Sequence, residues 1–349
     1  MILIWMIWGG GEKYMMSIAE CLSSENEVTV FWNNKQDVDK LLERFTLNLS
    51  RVTLSENIFS PKFNFFKRLI ATRNYDVIIF LSDGSVPFSF SKKLFLHIQQ
   101  PISGLKNSFK TRIKLSRVDK IFCNSLYSKS FVDRYLKVDS SVLYPPVDIK
   151  VKKMKKENVI LHVGRFRVKN VSNSDFKKQG VMVEAFKEMV DAGFGDWTLI
   201  LAVGVQDRDT ESFELMKKNA EGYPIKFMVN KSNDELWSLY SKAKIYWHAS
   251  GFGEDLNSHP EYAEHFGIST VEAMGAGLVP IVINAGGQKE IVVENISGFL
   301  WNNLDELKYF TLKLTKDKDL LEKLSKGAML RAQKFAGERF CKDLAKIIK

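Results

Sequence analysis

The chain writes one pattern twice, and a parallel α/β sheet is the fold that accommodates it. Apolar runs of strand length, "ILIWMIW" (2–8), "EVTVFW" (27–32), "DVIIFLS" (76–82), "LFLHIQ" (94–99) and "KIFCNS" (120–125), alternate with stretches of helical spacing. The pattern starts over with "NVILHVGRF" (158–166), "WTLILAVG" (197–204), "KIYWHAS" (244–250) and "LVPIVI" (278–283). Strands separated by helices make a doubly wound parallel sheet. The expectation is therefore two tandem Rossmann-like α/β domains facing a cleft, over residues 1–148 and 158–332. "YPPVDIKVKKMKKE" (144–157) interrupts the pattern with two prolines and a lysine run, which reads as a linker over 149–157. The tail 333–349 reads as a closing amphipathic helix that packs back on the first domain. Ligands of such sheets bind outside the carboxyl ends of the strands.

With 45% hydrophobic residues over 349 positions, the chain can fill two cores and is no disordered polymer. The three cysteines, Cys21, Cys123 and Cys341, share no close spacing. That argues against a disulfide framework or a cysteine metal site and fits a reducing compartment. The opening apolar run is eight residues with no basic flank, too short to span a bilayer and unlike a signal peptide. A cytoplasmic protein is expected. The net charge of +10 is uneven, with 12 Lys and Arg against three acidic residues over 60–120. Such a face attracts anionic headgroups, phosphorylated acceptors or nucleic acid, or is merely a solvated surface.

The most informative stretch is "EHFGISTVEA" (264–273), which follows the strand "KIYWHAS" and opens a helix. "STVE" fits a capping box, with Ser269 as N-cap and Glu272 three residues on. That leaves Glu264, Phe266 and Gly267 unexplained. In a functional reading, the free N–H groups of the helix start take a phosphate. Gly267 lets the backbone approach a ligand, and the carboxylates on either side accept hydrogen bonds from hydroxyls.

The run "EHFGISTVEAMGAGLVPIVINAGGQKEIV" (264–292) resembles the signature of family-4 retaining glycosyltransferases, which have the GT-B fold. The resemblance implies that Glu264 lies by the transferred sugar and that Glu272 binds the ribose hydroxyls of a nucleotide-sugar donor. It places the backbone of Phe266, Gly267 and Ile268 against the sugar. "HVGRF" with "FKKQGVMVEAF" resembles the family's phosphate-binding segment, giving Arg165 and Lys177 the diphosphate, with Lys178 beside them. The intervening insert leaves Lys169 as a competitor for that role. Gly10 and Gly11 of "GGGEK" match the family's first glycine loop, and His97 of "FLHIQQP" its strand-end histidine near the sugar.

The chemistry implied is the departure of a nucleoside diphosphate, stabilised by Arg165, Lys177 and the helix start at Ser269. No Asp-rich metal site is visible, and no cofactor is expected beyond the donor. "EHFGI", "FLHIQQP" and "YPPVD" make the chain somewhat similar to lipid-linked-oligosaccharide mannosyltransferases, which slightly favours GDP-mannose over a UDP-sugar, with a glycan or lipid-linked acceptor. Base contacts are expected near "FMVNKS" (227–232). Two other readings stand beside this one: a nucleotide-sugar epimerase, and a non-catalytic membrane- or nucleic-acid-binding protein. No nucleic-acid-binding motif is present. The segments "PKFNFFKRLIATR" (61–73) and "GLKNSFKTRIKLSR" (104–117) mix apolar and basic residues. They suggest peripheral attachment to the cytoplasmic face of an anionic membrane.

Overall fold

A computed structural model describes residues 2–5, 12–34, 36, 38, 39, 42, 47–59, 63–102, 108–168 and 175–348. It divides into two compact units, unit 1 being Met1–Pro146 with Gly337–Lys349, and unit 2 being Val147–Ala336.

Unit 1 is built on a seven-stranded, all-parallel sheet in the order β3-β2-β1-β4-β5-β6-β7. The strands are β1 (Ile2–Trp5), β2 (Val28–Phe31), β3 (Val52–Ser55), β4 (Val77–Ser82), β5 (Lys93–Ile98), β6 (Lys120–Cys123) and β7 (Ser141–Val142). Ile78, Ile79, Phe95, Leu96 and Phe122 are buried because helices cover both faces of a parallel sheet. Met15, Ile18, Ala19 and Leu22 of the helix Glu12–Leu22 share a core with Phe340, Leu344 and Ile347 of the helix Gly337–Ile348. The two helices are joined by a disulfide, Cys21–Cys341, with a Cα–Cα distance of 5.3 Å. This corrects the expectation drawn from cysteine spacing. A separation of 320 residues says nothing about distance once the last helix returns to the first.

Unit 2 carries a six-stranded parallel sheet, β10-β9-β8-β11-β12-β13. Its strands are β8 (Val159–Arg165), β9 (Thr198–Gly204), β10 (Ile225–Val229), β11 (Ile245–His248), β12 (Val279–Ile283) and β13 (Phe299–Trp301). Winding runs outward in both directions from β8 and β11, so their junction is the topological switch point. Trp247, Ile160, Leu201, Ile281 and Phe299 meet Met182 and Phe186 in the core.

The stretch 149–157 lies within unit 2 and is bound along it. Lys156 Nζ donates to the carbonyls of Ala243 at 2.7 Å and Ala276 at 2.8 Å, which are the C-caps of two helices. Lys152 Nζ donates to Asp234 O at 2.9 Å. Three lysines of this run remain exposed, and the two inward ones hold it down.

Candidate active site

Four segments of unit 2 meet at the carboxyl ends of β8 and β11. Arg165 is the last residue of β8 and is exposed. Lys177 stands in the turn before the helix Gln179–Asp191. His248 ends β11. Glu264 precedes the helix Ile268–Gly275.

The turn that presents Lys177 is set by Asp175. Its carboxylate accepts the amides of Gln179 at 2.7 Å and Gly180 at 3.0 Å and thereby caps the helix. Lys177 Nζ then reaches Glu264 Oε2 at 2.5 Å. The same oxygen receives His248 Nε2 at 2.9 Å. Burial raises the Glu264 carboxyl, but the Lys177 ammonium and the His248 hydrogen bond outweigh it and hold the group well below the usual carboxylate range. Burial lowers His248, so the imidazole is neutral and its Nε2 carries the hydrogen that faces the carboxylate. Lys178, which adopts φ 59 at the helix start, forms a buried ion pair with Glu254. Among these three cations, Arg165 alone has no carboxylate partner among the described residues.

The helix start differs from the sequence expectation. Gly267, at φ 124, is the N-cap, and no side chain caps the helix. Ser269 lies inside the first turn, where its Oγ accepts from the Tyr246 hydroxyl at 2.8 Å. Glu272 accepts from the buried Tyr240 hydroxyl at 2.9 Å. The "STVE" capping box is therefore not formed. Ser269 is claimed by a strand residue 23 positions earlier. A side chain at Gly267 would need that positive φ and would also meet the Gln288 amide at 2.7 Å. The segment is held from behind by the Gly286–Gly287 turn. Gly287 N donates to Glu264 O at 2.7 Å, and a Cβ at Gly287 would lie 2.5 Å from Phe266 Cα. Phe266 is buried and packs edge-on against Phe335. Ile268 is partly exposed there.

The site thus gathers Arg165, Lys177, Glu264, Gly267, Ile268, Ser269 and Glu272, with Lys178 set aside on Glu254. It offers an exposed guanidinium, an ammonium held by Glu264, the first amides of a helix, which have no partner among the described residues, and two oriented carboxylates, a set suited to a phosphate-bearing ligand with hydroxyls. His97 belongs to unit 1. It is fully buried, stacked between Tyr14 at 4.1 Å and Phe122 at 4.7 Å, and burial pushes it down to about 3. Gly10, Gly11 and Lys169 lie outside the described residues. Phe227, Met228 and Val229 of "FMVNKS" are in β10, and only from Asn230 does the chain leave the sheet. Sequence reasoning missed His248, Tyr240, Tyr246 and Glu254. A polar residue closing the apolar run of β11 was the available signal for His248.

The family model described as Glycosyl transferases group 1 matches residues 147–331. A GDP-Man:Man(3)GlcNAc(2)-PP-Dol alpha-1,2-mannosyltransferase of Dictyostelium discoideum is 26% identical over 226 residues, covering 60% of this chain and 42% of that protein. An uncharacterised glycosyltransferase of Methanocaldococcus jannaschii is 27% identical over 250 residues, covering 70% and 64%. The chain spans about half the length of the curated relatives it matches. The crystal structure of Anabaena HepE in complex with UDP superposes with a TM-score of 0.73 at 17% identity, over 99% of each chain, a likeness of fold.

Proposed function

The chain belongs to the glycosyl transferases group 1, and from that premise we propose that it moves a hexose from a nucleoside-diphosphate sugar to a glycan or lipid-linked acceptor, with retention at the anomeric carbon. The observation that carries the reading is the Lys177–Glu264 pair beside an uncommitted Arg165, at the β8–β11 switch point and in front of the helix that Gly267 opens.

In this reading the diphosphate sits on the amides of Ile268 and Ser269 and on Arg165. Lys177 turns from Glu264 towards the phosphate as charge develops there. Glu264, freed of part of its partner's charge, accepts from a sugar hydroxyl, and Glu272 accepts from the ribose. The C1–O bond to the β-phosphate breaks, and its electron pair leaves with the phosphate oxygen. The acceptor oxygen bonds C1 on the same face, and its proton passes to the departing phosphate. Arg165 and Lys177 supply the positive charge, so the reaction as drawn calls on no metal. GDP-mannose is favoured as donor by the mannosyltransferase relatives. The UDP in the HepE complex makes a UDP-sugar the second choice. The lipid-linked acceptor likewise rests on the relatives' names.

Thermal unfolding in the presence of GDP, UDP and their sugars tests the reading. A nucleoside diphosphate at about 100 times its Kd stabilises the folded chain by about 2.7 kcal/mol, and Arg165→Ala abolishes the shift. If no nucleoside diphosphate moves the midpoint, the reading fails. Donor incubated without acceptor separates the epimerase, which converts it, from the transferase, which does not.

A further inference from the structure

The two apolar and basic segments of unit 1 come together. The helix Phe65–Thr72 exposes Phe65, Phe66 and Ile70 at 53%, 74% and 65%. The helix Phe109–Leu115 exposes Phe109 and Ile113 at 79% and 46%. Between them runs the β4–β5 loop with Phe88 and Phe90, also exposed. Phe65 meets Phe88 edge-on at 6.1 Å, and Lys114 Nζ lies 5.4 Å from the centre of the same ring. Arg73 sits over Phe90 at 5.9 Å, and Phe90 N donates to Thr72 Oγ1 at 2.9 Å. Three segments distant in sequence therefore form one exposed apolar patch, while Leu115 turns inward to the core. Lys67, Arg68, Arg73, Lys110, Arg112, Lys114 and Arg117 accompany it, and neither helix carries an acidic residue.

We propose that this patch is a docking surface for an anionic lipid bilayer, with Phe66, Phe109 and Ile70 entering the interface and the basic side chains lying among the headgroups. Contiguous exposed apolar patches on soluble proteins mark interaction sites. The polar side chains at the helix starts, Asn64 and Ser108, serve as caps. Apolar projections ringed by Lys67, Arg73, Lys110, Arg112, Lys114 and Arg117 are the complement of an acidic membrane surface. The inference is independent of the transferase reading, which survives its failure.

The full chain is sedimented with phosphatidylcholine vesicles, with and without phosphatidylglycerol, over a range of salt. Binding appears with the anionic lipid and falls as salt rises. Lys110→Glu with Lys114→Glu lowers the partition constant at least about thirtyfold, on about 1 kcal/mol per basic residue. Phe66→Ser with Phe109→Ser lowers it at least about tenfold, on the apolar area withdrawn. Phe66, Phe109 and Lys110 are exposed and Lys114 is half-buried, and unchanged thermal midpoints check that the variants fold. Absence of binding to anionic vesicles at low salt overturns the proposal. So does binding that the Phe variants leave unaltered, which would mean charge attraction without insertion. Capture by RNA or by an acidic protein through the same residues, with vesicles ignored, assigns the patch to another partner and overturns it equally.

Discussion

One oxygen of Glu264 holds two donors from separate segments, Lys177 Nζ of a helix-start turn at 2.5 Å and His248 Nε2 of a strand end at 2.9 Å. A partly buried lysine without a partner would be expensive, and so would the carboxylate. Each makes the other tolerable, so the site keeps its movable cation in the absence of an anion. A phosphate need only outbid a carboxylate that His248 continues to satisfy.

Lys177→Ala therefore lowers kcat about 100- to 1000-fold, the usual cost of losing a group that stabilises a developing anion. The fold survives, because His248 still donates to Glu264. Lys169→Ala leaves turnover within about threefold, the range expected when the substituted side chain is not the phosphate ligand. If the two results are exchanged, the insert has been misaligned and Lys169 is the phosphate ligand.

Glu272→Ala weakens nucleotide binding by about 1.5–3 kcal/mol, the worth of hydrogen bonds to a charged acceptor. The helix keeps its N-cap, which is Gly267. The loss of stability comes instead from Tyr240, whose buried hydroxyl is orphaned. Adding Tyr240→Phe restores the thermal midpoint and leaves the nucleotide affinity low. Unchanged affinity in the single variant removes Glu272 from the ribose.

Turnover persists in excess EDTA, because Arg165 and Lys177 supply the positive charge at the leaving group. Complete loss, restored by one divalent ion, overturns the assignment.

Stability falls as the solution is acidified from neutrality. Burial lowers His97 and His162 to about 3 and shifts His248 and His265 down from 6.5. Below 6.5 the unfolded imidazoles take up protons that the folded ones refuse, so acid favours unfolding. At pH 5 each of His97 and His162 costs about 2 kcal/mol. Glu264 acts in the same direction at lower pH. Its depressed pKa gives stability that is full above 4.5 and is lost as pH falls through the folded value. Urea midpoints measured across this range check the slope, and a flat profile between about pH 7 and about pH 5 contradicts it.

Reduction of Cys21–Cys341 destabilises unit 1 by about 2–4 kcal/mol. The bond is accessible, since Cys341 is exposed. Phe340 and Leu344 keep the last helix in place, so the fold persists with a lower midpoint and faster amide exchange over 337–348. Equal midpoints and equal exchange with and without reductant dismiss the clasp.

The central strands were legible because parallel strands buried on both faces read as unbroken apolar runs, as in Ile78 to Leu81 or Leu199 to Val203. β3 and β10 were not, since they lie at sheet edges and are only half buried. β7 and β13, with two and three residues, are too short to carry a period. Glu264, Lys177 and Arg165 were singled out through their motifs, and the structure pairs the first two. The Ser269 cap was misread because its competitor, Tyr246, is close only once β11 is laid beside the helix start. His248 escaped for the same reason, as its meaning depends on β11 lying next to β8.

Unit 1 takes Phe340, Leu344 and Ile347 from the last dozen residues of the chain. The whole of unit 2 is thus an insertion within unit 1. During synthesis, unit 2 has all its strands and helices before unit 1 has its closing helix. The order of maturation on the ribosome is therefore inverted relative to the order of translation. The N-terminal sheet is made first but must wait, with Met15 and Ile18 uncovered, until the tail emerges.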